Sequence, residues 1–214
     1  MNTAALSILF HDIIALITII NPIAAASIMI SMIAPPTSSA IMEIAKKASL
    51  TIFIASLITL FGGEIVFKFF GINIYSIKII GGVILMIIAI NMAYGQGSKH
   101  RHSPEEEQEA QDKEDIAIVP IGIPILFGPG VIATIIVLSH NNASSLGTTL
   151  SYSILILSIF IASIVTYVTL RYAGTINKVL GITGIKILTR IMGLIVGAIA
   201  AQFLISGIKG LWGS

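Results

Sequence analysis

Apolar runs long enough to cross a membrane alternate along this chain with short polar or glycine-bearing interruptions. A helix needs about 20 apolar residues to span ~30 Å of hydrocarbon. Six stretches meet that length, residues 5–33, 44–67, 73–95, 116–139, 150–172 and 184–208. Turn-forming segments flank them: APPTSS, FGIN, GQGS, HNNASS and LGITG. One stretch differs in kind. KHRHSPEEEQEAQDKED, Lys99–Asp115, is dense in charge and has no apolar period, so it belongs in water. It divides the chain into a first three-span part (1–95), a charged linker (96–115) and a second three-span part (116–214).

The two parts resemble each other. A shift of 107 residues carries INPIAAASI (20–28) onto FGPGVIATI (127–135), and IFIASLIT (52–59) onto IFIASIVT (159–166). A shift of 112 carries KIIGG (78–82) onto RIMGL (190–194), matching Lys78 with Arg190 and Gly81 with Gly193. Three spans per part is an odd number, so the second part must sit upside down. The expected fold is an all-α membrane protein of six transmembrane helices, arranged as two inverted three-helix repeats, as in many secondary transporters.

Composition narrows the function. Of 214 residues, 56% are hydrophobic and 10% charged, more apolar surface than a soluble core of this size can hide. The net charge of +2 gives no reason to expect a nucleic-acid partner, and with no cysteine there is no disulfide or thiolate metal site. MNTAALSILF lacks the basic start of a signal peptide and reads as part of the first span. Basic residues set the orientation. Lys46, Lys47, Lys99, Arg101, Lys113, Arg171, Lys178, Lys186 and Arg190 fall on the side of the linker, against Lys68, Lys78 and Lys209 on the other. That puts the linker in the cytoplasm and both termini outside, in the cytoplasmic (inner) membrane.

Spans 1 and 4 carry the candidate chemistry. Asn21-Pro22 and Gly128-Pro129-Gly130 fall at equivalent places, each well inside its span. Proline lacks an N–H and clashes with the preceding turn, costing ~3 kcal/mol in a helix interior. Such breaks survive at membrane depth only where protein or a wet cavity satisfies the freed backbone. Helices 1 and 4 are therefore expected to be discontinuous. Asn21 would cap a half-helix beginning at Pro22, and Gly128 would precede another beginning at Pro129. The amides of Ile23, Ala24 and Ala25, and of Gly130, Val131 and Ile132, would point inward. A helix N-terminus carries roughly half a positive charge and suits a carboxylate. The breaks would also free carbonyls, such as those of Ile20 and Phe127. Ser27 and Thr134 offer hydroxyls, used either toward a ligand or back onto their own helix. The side chains around both breaks are small, which favours a small solute.

Other polar residues have quieter expectations. Asp12, beside His11, lies nine residues before Asn21, about 13 Å along a helix; an interfacial carboxylate is the better reading. Glu64, Lys68 and Lys78 are expected to reach the interface, and Asn91 and Gln202 to bond between helices. Gly81, Gly82, Gly193 and Gly197 suit close helix packing. His100–His102 reads as a solvated tract rather than a metal site. No metalloprotease spacing, nucleophile elbow or P-loop is present, so an enzyme is not expected. No cofactor is called for, though coupling to Na+ or H+ is open.

NPIAAASIMIS in span 1, PIGIPILFGPGVIATIIVLS in span 4 and TRIMGLIVGAIAAQFLISGI in span 6 resemble the MarC family, over essentially the whole chain. That family includes small neutral amino acid transporters of the SnatA type. Ala24 after Ile23 departs from its usual pattern in span 1. The resemblance implies transport of glycine, alanine and similar solutes, with substrate bound at the two breaks. An exporter of amino acids or another small metabolite on the same fold, and a non-transporting membrane scaffold, are the alternatives.

Overall fold

The computed structural model describes residues 3–33, 37–95 and 117–212. The charged linker, including His100–His102, lies outside the described residues. Eight helical elements follow in order: α1 (Thr3–Ile20), α2 (Pro22–Met32), α3 (Ser38–Phe69), α4 (Ile74–Ala93), α5 (Ala117–Leu126), α6 (Pro129–Leu146), α7 (Thr148–Arg171) and α8 (Ala173–Trp212). No strand occurs among the described residues. Among the described residues five stretches are long and apolar enough to cross a membrane: Thr3–Met32, Ser38–Phe69, Ile74–Ala93, Thr148–Arg171 and Ala173–Trp212. The expected span over 116–139 is not one of these. It is split between α5 and α6, and α6 runs on into the polar SHNNASS.

Local chemistry explains the element boundaries. The Thr37 hydroxyl accepts the Ala40 N–H at 3.2 Å and starts α3. Asn73 Oδ1 accepts the Ser76 N–H at 2.8 Å and starts α4. At 40 residues α8 would extend about 60 Å, twice the hydrocarbon thickness. Gly181 interrupts it at φ 60°, a backbone that glycine reaches without a Cβ clash. This is where the sequence places the turn LGITG. Hydroxyls inside the bundle turn back on their own helices: Thr18 to Ile14 O, Ser158 to Ile154 O and Thr166 to Ala162 O, all within 2.9 Å.

Helices pack in antiparallel pairs across the two parts of the chain. α3 runs against α7, with Phe53 edge-on to Phe160 and Phe61 beside Tyr152. α4 runs against α8 with hardly any side-chain space between them. A Cβ on Gly82 would lie 3.0 Å from Ala200 O, and one on Gly193 3.0 Å from Ala89 O. Gly207 extends the same seam, where an added Cβ would lie 2.9 Å from Tyr75 O. Gly197 has ordinary space, with Ala89 at 3.5 Å. Exchanging α1 with α5, α2 with α6, α3 with α7 and α4 with α8 turns the α1–α7 contact into α5–α3, α2–α8 into α6–α4, and α2–α7 into α6–α3, and all of these are present. The match is incomplete, because α6 packs on α7 whereas α2 barely touches α3.

The pairings define two ends of the bundle. At one lie the start of α1, the end of α3, the start of α4 and the end of α6. At the other, the linker end, Arg171 reaches Ser38, Arg190 sits against Gly95, and Asn177 of early α8 meets Ser27 of α2. One basic residue departs from expectation. Lys78 is 7% exposed, with its amine 5.8 Å from the Tyr75 ring, because α6 and α8 both pack on this part of α4. Glu64 and Lys68 stay outside, paired at 2.7 Å.

Candidate functional site

Both expected breaks are present, and each has its own geometry. Proline disfavours helical backbone in the residue before it. Asn21 answers by adopting left-handed dihedrals, φ 47° and ψ 61°. Its N–H still closes the last turn of α1 onto Ile17 O at 3.0 Å, and its carbonyl accepts from Ala25 at 3.2 Å. The Asn21 side chain does not cap α2, contrary to expectation, because the left-handed backbone aims it away from the first turn. Gly128 is instead extended, φ −101° and ψ 177°. Its carbonyl accepts from both Val131 (3.0 Å) and Ile132 (3.3 Å).

The stretch leading into Gly128 is wound wide. α5 is a π-helix, and its last bond runs from the Phe127 N–H to Gly122 O at 2.9 Å. Pro120 and Pro124 supply no N–H, so the usual four-residue ladder cannot form there.

These bonds revise the expected set of inward amides. Ala25, Val131 and Ile132 are satisfied by the break residues themselves. Ile23, Ala24 and Gly130 are the first-turn donors with no carbonyl in their own helix.

The two breaks share one cavity of about 180 Å³. Of the expected site residues, Ile20, Asn21, Ala24, Ala25, Gly128, Pro129, Gly130 and Val131 line it. Pro22, Ile23, Ser27, Phe127 and Thr134 do not. The Ser27 hydroxyl donates to Asn177 Oδ1 at 2.9 Å, and the Thr134 hydroxyl to Gly130 O at 2.7 Å. Phe127 is buried in the core. Lining residues outside the expected set include Ile28, Ile88, Asn91, Met92 and Pro124. Asn91 was expected to bond between helices; its side chain is exposed at the cavity instead. Only the crossing of α4 under the breaks brings it there, and no local signal announces that crossing. Gly130 sits in a tight place, since a Cβ would lie 3.0 Å from both Ile88 Cδ1 and Leu85 Cδ2 and both side-chain ends would have to give way.

The cavity is one-sided. Its walls beyond the breaks come from α2, late α4 and α5, all toward the linker end. In the opposite direction the bundle is packed shut by Leu16, Ile135, Val137, Leu138 and Leu155. Asp12 lies in this closed part. It is fully buried between helices, because α6 and α7 cover α1 there. Asn142 Nδ2 donates to Asp12 Oδ2 at 2.6 Å, and His11 Nδ1 lies 3.2 Å from Asp12 Oδ1.

Comparison with known proteins gives a consistent picture. The family model described as MarC family integral membrane protein matches residues 6–212. An Aquifex aeolicus UPF0056 membrane protein is 33% identical over 92% of this chain and 91% of its own length. YvbG of Bacillus subtilis, also a UPF0056 membrane protein, is 32% identical over 96% of each chain. YhcE of Escherichia coli is 32% identical over 95% of this chain and 93% of its own. No solved structure matches. A family match across nearly the whole chain, with full-length relatives at this identity, leads to one conclusion: the chain belongs to the MarC family of integral membrane proteins.

Proposed function

We propose that the chain is a secondary transporter of small neutral amino acids, of the glycine, alanine and serine class. It works by alternating access in the cytoplasmic membrane, with both termini outside. One observation carries the reading: breaks from separate parts of the chain, at Asn21-Pro22 and Gly128-Pro129, line a single small cavity. About 180 Å³ is well below the ~300–1,000 Å³ of sites for drug-sized ligands. Its walls are Ala, Gly, Pro, Met and aliphatic side chains with two asparagines, and no acid or base lines it among the described residues.

A zwitterion suits these groups. The carboxylate meets the first-turn amides of Ala24 or Gly130 at a positive helix end. The ammonium meets the amide oxygens of Asn21 and Asn91 and the carbonyl of Ile20. An inverted repeat of three spans per half is the architecture that goes with this reading, and the exchange-matched helix contacts support it. The one-sided cavity fits a state open to the cytoplasm. Transport then requires the bundle to open at the other end and close at this one.

The test is a panel of radiolabelled glycine, alanine, serine, leucine and glutamate in proteoliposomes, with counterflow under imposed gradients. Exchange of glycine, alanine and serine, weaker for leucine and absent for glutamate, is the expected order. Exchange confined to large or charged solutes, or to none, removes the proposal. Direction of the gradient-driven flux separates uptake from export.

A further inference from the structure

The buried carboxyl group of Asp12 has no part in the substrate cavity, and its surroundings call for a role. Its side chain is 0% exposed, whereas that of neighbouring His11 is 62% exposed. A charge kept from water inside a helix bundle is paired, neutralised or functional. The elements packed on α1 are α6, α7 and α8. α6 brings Asn142 and one titratable side chain, His140, which lines a separate cavity beside Glu64. On α7, Tyr152 stacks on Phe61, Tyr167 lies late in the helix, and Arg171 bonds Ser38 at the linker end. On α8, Lys178, Lys186 and Arg190 belong to the linker half, and Lys209 lies at the opposite end. Among the described residues, only His11 lies in ion-pair range of Asp12.

We propose that Asp12 is the proton-binding site that couples this transporter to a pH gradient, shut here against Asn142 and reached from outside through His11. The inference rests on the transporter reading and adds the coupling ion and its residue. The step is a simple transfer: a protonated His11 ring passes its Nδ1 proton to Asp12 Oδ1, leaving a neutral imidazole and a neutral carboxyl group. A neutral acid can remain in a dry interior where a carboxylate is costly. A sodium ion fits worse. Sodium needs several oxygen ligands, yet Asn142 presents its amide N–H, a donor that repels cations. The Asp12–Asn142 bond also joins α1 to α6 where the bundle is closed. Opening toward the outside has to part it, exposing Asp12 to water, so protonation and opening occur at the same place.

The experiment uses full-length protein in proteoliposomes with three readouts. In the wild type, a one-unit pH gradient, acid outside, sustains up to about a tenfold alanine ratio for one proton per solute, and alanine entry acidifies the lumen. In Asp12→Asn, alanine exchange at equal pH persists while the ratio falls to one and lumen acidification stops. His11→Gln slows gradient-driven uptake several-fold without changing the final ratio. The third readout needs no substrate: the infrared carboxylic-acid band of wild-type protein loses, in Asp12→Asn, a component that titrates with pH. A wild-type tenfold ratio retained by Asp12→Asn, accumulation that follows sodium at equal pH, or identical infrared titrations in the two proteins overturns the assignment. Should Asp12→Asn not fold, the His11→Gln rate and the wild-type infrared titration decide it. No exchange of any amino acid by the wild type is the failure of the transporter reading itself, and the infrared titration still reports on Asp12.

Discussion

The two breaks meet the same demand by different means. Each must let the chain leave one helix and begin another before a proline. At Asn21 the whole change is taken up by a single residue in the left-handed region, φ 47°. At Gly128 it is spread over the wide turns of α5, a bend at Phe127 and an extended glycine. The first solution stores strain in one non-glycine residue, for which the left-handed backbone costs roughly 1–2 kcal/mol and which asparagine tolerates better than most. The second stores none at Gly128. What differs is therefore how much each break depends on the identity of one side chain.

That contrast can be broken experimentally. The largest effect is expected from Gly130→Leu, whose side chain has no room beside Leu85 and Ile88 and fills the cavity. Amino acid binding should vanish in a thermal-shift titration, and retained binding would place the site elsewhere. Asn21→Ala comes next. It keeps the left-handed demand without the tolerance and should lower the melting temperature by the equivalent of about 1 kcal/mol. Asn21→Gly should restore that stability. Both lose the amide, so alanine affinity falls by about tenfold, or 1.4 kcal/mol, in each. A melting temperature equal in all three proteins would show that no strain resides at Asn21.

Gly128→Ala is expected to be milder, below about 1 kcal/mol, since its dihedrals suit any residue and its Cβ meets only Pro124 O, at 3.2 Å. A larger loss at Gly128 than at Asn21 would reverse the comparison. Asn91→Ala, at the rim, should weaken alanine binding only about threefold, near 0.7 kcal/mol, measured by the same titration.

The sequence announced the breaks because proline and glycine act on their own neighbours. It announced the glycines of α4 and α8 for a similar reason, since spacing on one helix face needs no knowledge of the partner. Features that depend on packing across the chain were less legible. The enclosure of Asp12 was hidden because nothing near it in sequence shows that Asn142, 130 residues on, closes over it. Lys78 was expected at the interface because its cover comes from α6 and α8, in the other part of the chain. Asn21 looked like a cap because a local rule ranks asparagine highly there, whereas the proline after it sets the backbone. Ser27 and Thr134 were open to a ligand or to their own helix; Thr134 takes the second course, onto Gly130 O, whereas Ser27 takes neither and donates to Asn177 Oδ1 of α8, a partner that only packing reveals.

The seam between α4 and α8 has a mechanical meaning. Where Gly82, Gly193 and Gly207 let backbone rest on backbone, there is no layer of side chains to shear or repack. Relative movement of the two parts of the chain would then turn about this line as about an axle, smallest there and greatest at the far wall, where α3 meets α7. Bulk added to the axle would jam the motion without touching the cavity.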